Sequence, residues 1–407
     1  MFRKTILITI FSLLIISCTE KKKSVVKTSD FEVKVLEKEI ISKNKYNASG
    51  PYFSKKGSEI TLNWSEEIDS NYTTILKYKN INQPKIKTVL PSKGMQSHGE
   101  SMAKIIQDTF GNTIAIFRIK AATKKNKYGG FIYYSISKDQ GETWTEKQKL
   151  VKDETSGSQS FYDVALLGSG NVGIIWLDNR KPKEIKQGSS LYFAKTNQNG
   201  EFTNEKVLST GTCQCCRTDL FVNKNGKIDI AFRNIVAEKY RDIYNITSED
   251  HGENFSVAKR ISPDNWKLKG CPHTGPSIAF NGKTTGIIWY TAADGKQGVN
   301  FVEKVNESFD FSQSNLLTSI AKHPQMIADN FGNYFATYEE ITEDGQQRIV
   351  LHIIYNNGKM EIIPISDAKG LNRYPVITKK TDKDLMIAWI KDFEEVSKII
   401  KVDVELR

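Results

Sequence analysis

Ser137-Lys138-Asp139-Gln140-Gly141-Glu142-Thr143-Trp144 and Ser248-Glu249-Asp250-His251-Gly252-Glu253-Asn254-Phe255 follow one pattern, Ser-x-Asp-x-Gly-x-x-aromatic, 111 residues apart. Each part of it has a turn-building reason. A carboxylate two residues after a strand-ending serine can accept backbone N–H groups across a tight hairpin. Glycine supplies the positive φ that other residues reach only at a cost, and the aromatic returns to the sheet as a packing residue. The pattern predicts two hairpins, with Ser137, Asp139, Gly141 and Trp144 as the turn residues of one and Ser248, Asp250, Gly252 and Phe255 as those of the other.

Outward from these turns, a β-rich segment, a Gly or Asp/Asn turn and an apolar strand ending in an aromatic recur along the chain. The strand-ending aromatics are Trp64, Phe117, Trp176, Phe232, Trp289, Tyr338 and Trp389, spaced 53, 59, 56, 57, 49 and 51 residues apart. A period of about 50 residues is that of one four-stranded propeller blade. The second copy shows the internal order, with strands expected at 101–107, 112–119, 130–137 and 146–152. The last copy has only three, at 376–379, 385–390 and 398–406, while 31–37 is a spare strand ahead of the first copy. The expected fold is all-β: a single β-propeller of four-stranded blades over residues 31–407, closed by the N-terminal strand so that no edge is left open. Seven blades are favoured, with six as the alternative count if the weak first copy is an irregular extension.

The two turns resemble the Asp-box (BNR) repeats of the sialidase-like propellers, and 196–202 is similar to a third, degenerate copy that lacks the aspartate. In that family the box is a structural turn found in enzymes and non-enzymes alike, so it speaks to fold rather than chemistry. The resemblance also implies what a sialidase site would need: three arginines on a substrate carboxylate, a Tyr–Glu nucleophile pair and an Asp acid/base. Phe117-Arg118-Ile119-Lys120 is similar to the family's first arginine motif but has Lys120 in place of proline and ends a strand instead of starting one. Arg373, which does start one, is the better positional match. With Arg233, Arg241 and Asp178 it forms the candidate catalytic set of a hydrolase acting on sialic acid or another acidic sugar. Arg180, Arg217, Glu100, Asp163, Glu339, Glu340 and Asp392 are further rim candidates. The family's catalytic members are six-bladed, which counts against this reading.

A different chemistry emerges from the start of each blade. Counting back 15 or 16 residues from the aromatics lands on Ala48, Ser101, Ser160, Cys216, His273, His323 and Arg373. Around this register lie Cys213, Cys215, Cys216, Cys271, His273 and His323, with His98 as a further candidate. Thiolate and imidazole at one channel mouth are the donors of a soft or borderline metal, copper first and zinc second. Structural disulfides are the competing explanation, with one of Cys213, Cys215 or Cys216 bonding Cys271, since adjacent cysteines are poorly placed to bond each other. A redox thiol pair is a third.

The N-terminus predicts where the protein resides. Arg3 and Lys4 precede an apolar run, 5–16, that is too short to span a bilayer, and Ile15-Ile16-Ser17-Cys18 follows. This resembles the lipobox of bacterial lipoproteins, which implies removal of residues 1–17, lipidation of Cys18, a polar tether over 18–30 and a membrane-anchored protein of the bacterial cell envelope. Without the signal segment, 56 basic residues stand against 47 acidic ones, a charge of +9. The lysines are scattered singly, so no nucleic-acid partner is expected. The expected partners are the membrane, through the lipid, and a small-molecule, metal or glycan ligand. Three function classes follow: a ligand-binding propeller whose mouth holds a soft metal, a glycoside hydrolase, and a non-catalytic scaffold or adhesin.

Overall fold

Val172–Asp178 is buried along its whole length, and Glu59–Glu67 is buried from Ile60 to Glu66. Strands this apolar on both faces, rich in Ile, Val and aromatics, sit inside a sheet that other sheets cover on either side. The computed structural model describes residues 31–69, 73–124, 126–305 and 310–407, and 31–407 form one compact unit. The lipobox and tether, Cys18 included, lie outside the described residues. No helix occurs among those described.

The strands form six antiparallel sheets. Five are separate, and the eight-stranded sixth is two halves joined through a single pair, Thr212 with Asn234. Counting those halves separately gives seven units of four principal strands, numbered one to seven along the chain. The protein has an all-β propeller fold. In the seventh unit, Val33–Val35 pairs antiparallel with Val396–Leu406, so the chain's first described strand supplies the last unit's outer strand. Trp64, Ala388, Ile390 and Ile399 share a buried cluster that joins the first unit to the seventh.

Each aromatic at the register read from sequence is buried: Trp64, Trp176, Phe232, Trp289 and Tyr338 are 0% exposed. Buried indole N–H groups need acceptors. Trp64 donates to Glu66 at 2.9 Å, Trp176 to Asp178 at 3.2 Å, Trp289 to Asp264 at 2.7 Å and Trp389 to Asn372 at 2.9 Å.

The Asp-box turns form as their residues dictate. Gly141 N–H donates to Ser137 Oγ at 2.7 Å, and Thr143 N–H to Asp139 at 2.9 Å, with φ of +58° at Gln140 and +91° at Gly141. Hydrogen bonds from the Thr143 hydroxyl and N–H, then from Ser137, hold the Asp139 carboxyl well below the usual carboxylate range. In the second box, Asn254 N–H and side chain do the same for Asp250, lowering it to about 2. The degenerate copy substitutes Asn197, whose Oδ1 accepts from Asn199 and Glu201 N–H. All three turns end in an aromatic that packs on the preceding unit: Trp144 on Tyr78, Phe202 on Tyr134 and Phe255 on Phe193.

On the inner side, first strands are tied to one another by side chains. Asp163 accepts from Leu220 N–H at 2.9 Å, Asp219 from Ile278 N–H, and Ser277 from Met326 N–H at 3.1 Å, while Asn63 of the first unit's second strand bonds Ala103 O and Ile105 N–H. These first strands line a cavity of about 490 Å³ that includes Tyr52, Asp163, Arg217, Asp219 and Met326.

Candidate functional site

Four of the seven first strands break register at the same place, between Ser49 and Tyr52, Ser160 and Asp163, Lys322 and Gln325, and Arg373 and Val376. Each break contains a residue of positive φ: Gly50 at +60°, Phe161 at +43°, His323 at +52° and Tyr374 at +53°. His273, just ahead of the fifth unit's first strand, is at +50°. Glycine adopts this conformation freely, but for Phe, His and Tyr it costs about 1–2 kcal/mol each. Bulges re-aim side chains, and their recurrence at one register with strained residues makes this rim the candidate site.

Two networks occupy this rim. In the first, Glu100 Oε2 accepts from Arg217 Nε at 3.3 Å and from Gly275 N–H at 3.0 Å, while Arg217 Nη2 donates to Pro324 O at 2.9 Å and Gly275 O at 3.3 Å. Four successive parts of the chain thus meet on one buried ion pair. These bonds use Nε and Nη2, and Arg217 also lines the cavity. In the second, His323 Nδ1 lies 2.6 Å from Glu339 Oε1, and Glu339 Oε2 accepts from Tyr374 N–H at 2.9 Å. The His323 and Tyr374 rings are 4.5 Å apart. Gly99 backs Tyr374 so closely that a methyl there would fall 1.9 Å from the ring.

The electrostatics separate the histidines. Burial and the nearby His273 charge pull His98 down to about 4, so it is neutral, and its Nδ1 accepts from Glu100 N–H at 3.3 Å. Burial would lower His323 too, but the Glu339 hydrogen bond and the charges of Glu100 and Glu339 outweigh it and raise its pKa. Burial and the same two carboxylates raise the Tyr374 phenol. The remaining histidines belong to the frame: His352 meets the Tyr338 hydroxyl at 2.8 Å, and His251 closes a turn against Gly168 and Gly226.

The candidate catalytic set read from the sialidase resemblance does not assemble. Asp178 is fully buried and committed to Ser156, Trp176 and Arg180. Arg373 forms a half-exposed pair with Asp392. Arg233 is enclosed, donating to Tyr290 O and Arg241 O, and Arg241 is buried beside it. Arg241 Nε and Nη1 are buried with no hydrogen-bond partner among the described residues, whereas the bonds of Asp178, Arg233 and Arg373 are frame contacts, spent on groups of their own or a neighbouring unit. Arg118 likewise ties Gln159 O and Tyr128 O.

The six-member metal cluster divides. Cys213, Cys215 and Cys216 come together, with Sγ separations of 3.9 Å for Cys213–Cys215 and 3.5 Å for Cys213–Cys216. Cys271 is exposed, and no disulfide joins it to the buried three. Neither His273 nor His323 joins that thiol group, since His323 is taken by Glu339. The proline that follows His323 and the glycine two residues after His273 draw the backbone into Arg217's reach, so these loops serve the ion pair. Tyr374 and Gly99 were missed as site residues. A φ-strained position is invisible in sequence, and only Tyr374's place in the rim register could have flagged it.

Known proteins place the fold. Residues 87–277 match the BNR repeat-like domain. No curated protein matches. Among solved structures, the chain resembles the polysaccharide lyase Uly1 at 10% identity, with a TM-score of 0.60 over 90% of this chain and 94% of that one. A Dyadobacter fermentans protein of unknown function gives 13% identity and a TM-score of 0.53 over 77% of this chain and all of that one. The Hadza microbial sialidase Hz136 gives 12% and 0.52 over 81% and 73%. At such identities the likeness is one of fold: the chain has the architecture of these propellers, and residues 87–277 within it are similar to the BNR repeat-like domain.

Proposed function

We propose that the rim of this propeller cleaves an acidic polysaccharide by abstracting the proton next to a uronic carboxylate. The observation that carries the reading is the His323–Glu339 pair in ring contact with Tyr374 beside Arg217. A carboxylate on Nδ1 orients the imidazole and strengthens Nε2 as a base. Nε2 takes the proton from the carbon bearing the carboxylate, and the C–H electron pair becomes a carbon–carbon double bond. The β carbon–oxygen bond breaks, and the leaving oxygen takes the Tyr374 phenol proton. Arg217 holds the substrate carboxylate and offsets the charge that develops there.

Hydrolysis by two carboxylates is supported less well, because Glu100 and Glu339 are both engaged by cations and N–H groups, and Asp178 is closed off. A polyanionic substrate also suits the chain's positive charge, and the resemblance to a polysaccharide lyase supports the same class. The proposed setting is a seven-bladed ring anchored to the cell envelope through lipid on Cys18. Radiolabelled palmitate incorporation that Cys18→Ser abolishes would support the anchor.

The test is a panel of uronate-containing and sialylated polymers, read by ultraviolet absorbance of the conjugated unsaturated product. The reading expects activity on a uronate polymer that falls at least 100-fold in both His323→Gln and Tyr374→Phe. Sialic acid release that both variants retain would overturn it in favour of a hydrolase. Binding without cleavage would overturn it in favour of a lectin-like scaffold.

A further inference from the structure

Cys213-Gln214-Cys215-Cys216 links the third unit's last strand to the fourth unit's first, immediately before Arg217. The segment is pinned at its start, where Cys213 N–H donates to Arg233 O at 2.9 Å. Its three thiols are buried, at 1%, 6% and 1% exposure. The three Sγ atoms all lie within 4.8 Å of one another. Phe161, Leu177, Leu191, Leu220 and Phe232 surround them. Thiols are ordinary core residues singly, but three converging in one apolar pocket make a donor set.

We infer that Cys213, Cys215 and Cys216 form a three-coordinate thiolate site for a soft d¹⁰ cation, Cu(I). Metal–sulfur bonds of about 2.3 Å in a trigonal plane put the sulfurs about 4 Å apart, and the observed 3.5 and 3.9 Å lie near that spacing. Thiolate donors select soft ions. Coordination number decides between the two leading candidates. Zinc in protein sites takes four ligands, and no fourth His, Cys, Asp or Glu joins the group among the described residues. The neighbouring side chains of the cluster are apolar. Arg233, whose carbonyl meets Cys213 N–H, is the neighbouring cation for the thiolate charge. The site stands apart from the carbohydrate chemistry: it shares no side chain with the His323–Glu339–Tyr374 group.

The experiment uses full-length protein, reduced and handled anaerobically, loaded separately with Cu(I) and Zn(II), passed through a desalting column and measured by elemental mass spectrometry. One Cu(I) per chain is expected to survive an excess of bathocuproine disulfonate at a concentration that strips weaker sites. Cys213→Ser and Cys216→Ser should each lower retention at least tenfold, whereas Cys271→Ser, His273→Ala and His323→Gln should retain the full complement. In the wild-type chain, bound copper should protect three thiols from alkylation and leave Cys271 labelled, a readout independent of how well any variant folds. Zinc retained at one per chain in preference to copper overturns the assignment. So do copper retention in Cys213→Ser equal to wild type, loss of copper in His273→Ala or Cys271→Ser, and alkylation of Cys213, Cys215 and Cys216 in loaded protein. Because His323→Gln separates the two activities, failure of this site and failure of the lyase reading give different results.

Discussion

Gly99→Ala tests the rim without altering any group assigned to the chemistry. A Cβ at this position would meet Tyr374 Cγ at 1.9 Å, with Cβ and Cδ2 of the same residue at 2.3 Å. Ordinary van der Waals contact begins at 3.4 Å, so the tyrosine must withdraw by about 1.5 Å. Gly99 is not among the residues of positive φ, so the backbone itself accepts alanine. The ring that moves lies 4.5 Å from the His323 ring, tilted against it, and belongs to the residue whose backbone N–H donates to Glu339. Overpacking of this kind costs about 1–3 kcal/mol, enough to lower the melting temperature by a few degrees while leaving the protein folded. Misplacing a reacting group by about 1 Å costs roughly 100-fold in rate, so kcat/KM on a uronate polymer should fall by that order at unchanged secondary structure. A second readout needs no substrate. The His323 imidazole resonance, shifted by the Tyr374 ring current, should move in the NMR spectrum of the variant while that of His352 stays in place. Full activity with an unmoved His323 signal would refute the proposed contact and the role given to Tyr374.

Glu339→Gln should lower the His323 pKa toward the ordinary value, followed by NMR titration. Because the folded pKa is raised, the stability gained from this pair is complete below about pH 6.5 and fades as pH rises through the folded value. The gap in melting temperature between wild type and Glu339→Gln should therefore be widest in mild acid and close in alkali. Asp219, pushed up to about 7 by burial and then by Asp163, should do the opposite of a paired surface carboxylate. It favours folding below the usual carboxylate pKa and withdraws that support as pH rises toward 7, so Asp219→Asn should flatten the melting temperature across that interval. At the box turn, Gly141→Ala would place Cβ 1.6 Å from the Tyr78 hydroxyl at φ +91°, whereas Gly111→Ala, at φ +96°, meets nothing within 4 Å. The latter should cost about 1–2 kcal/mol for the conformation alone and the former a further 1–3 kcal/mol or so for the clash, compared by urea midpoint.

The propeller was legible because its signals are local. A box turn is encoded within eight residues, and a unit's buried second strand shows as an uncharged run such as Val172-Gly173-Ile174-Ile175-Trp176. The register of the rim was legible too, since counting back from Trp289, Tyr338 and Trp389 reached His273, His323 and the neighbour of Tyr374. What the residues did there was not, because it depends on contacts between units. Glu100 and Arg217 are 117 positions apart, and Asp178 could not be distinguished from a free acid without seeing Trp176 and Arg180 turn to it. In sequence, Cys213, Cys215 and Cys216 group with Cys271, His273 and His323, but Cys271 shares only their register. Exposure on a separate loop keeps it from the buried thiols.

Cleavage of a uronate polymer in water enriched in oxygen-18, with mass spectrometry of the fragments, tests the central claim most directly. Elimination driven by His323 and Tyr374 breaks the carbon–oxygen bond without adding water, so the fragments should carry an unsaturated end and no heavy oxygen. One oxygen-18 at each new reducing end would make the reaction a hydrolysis and contradict the proton-abstraction mechanism. Intact polymer across the whole panel would contradict an enzymatic rim altogether.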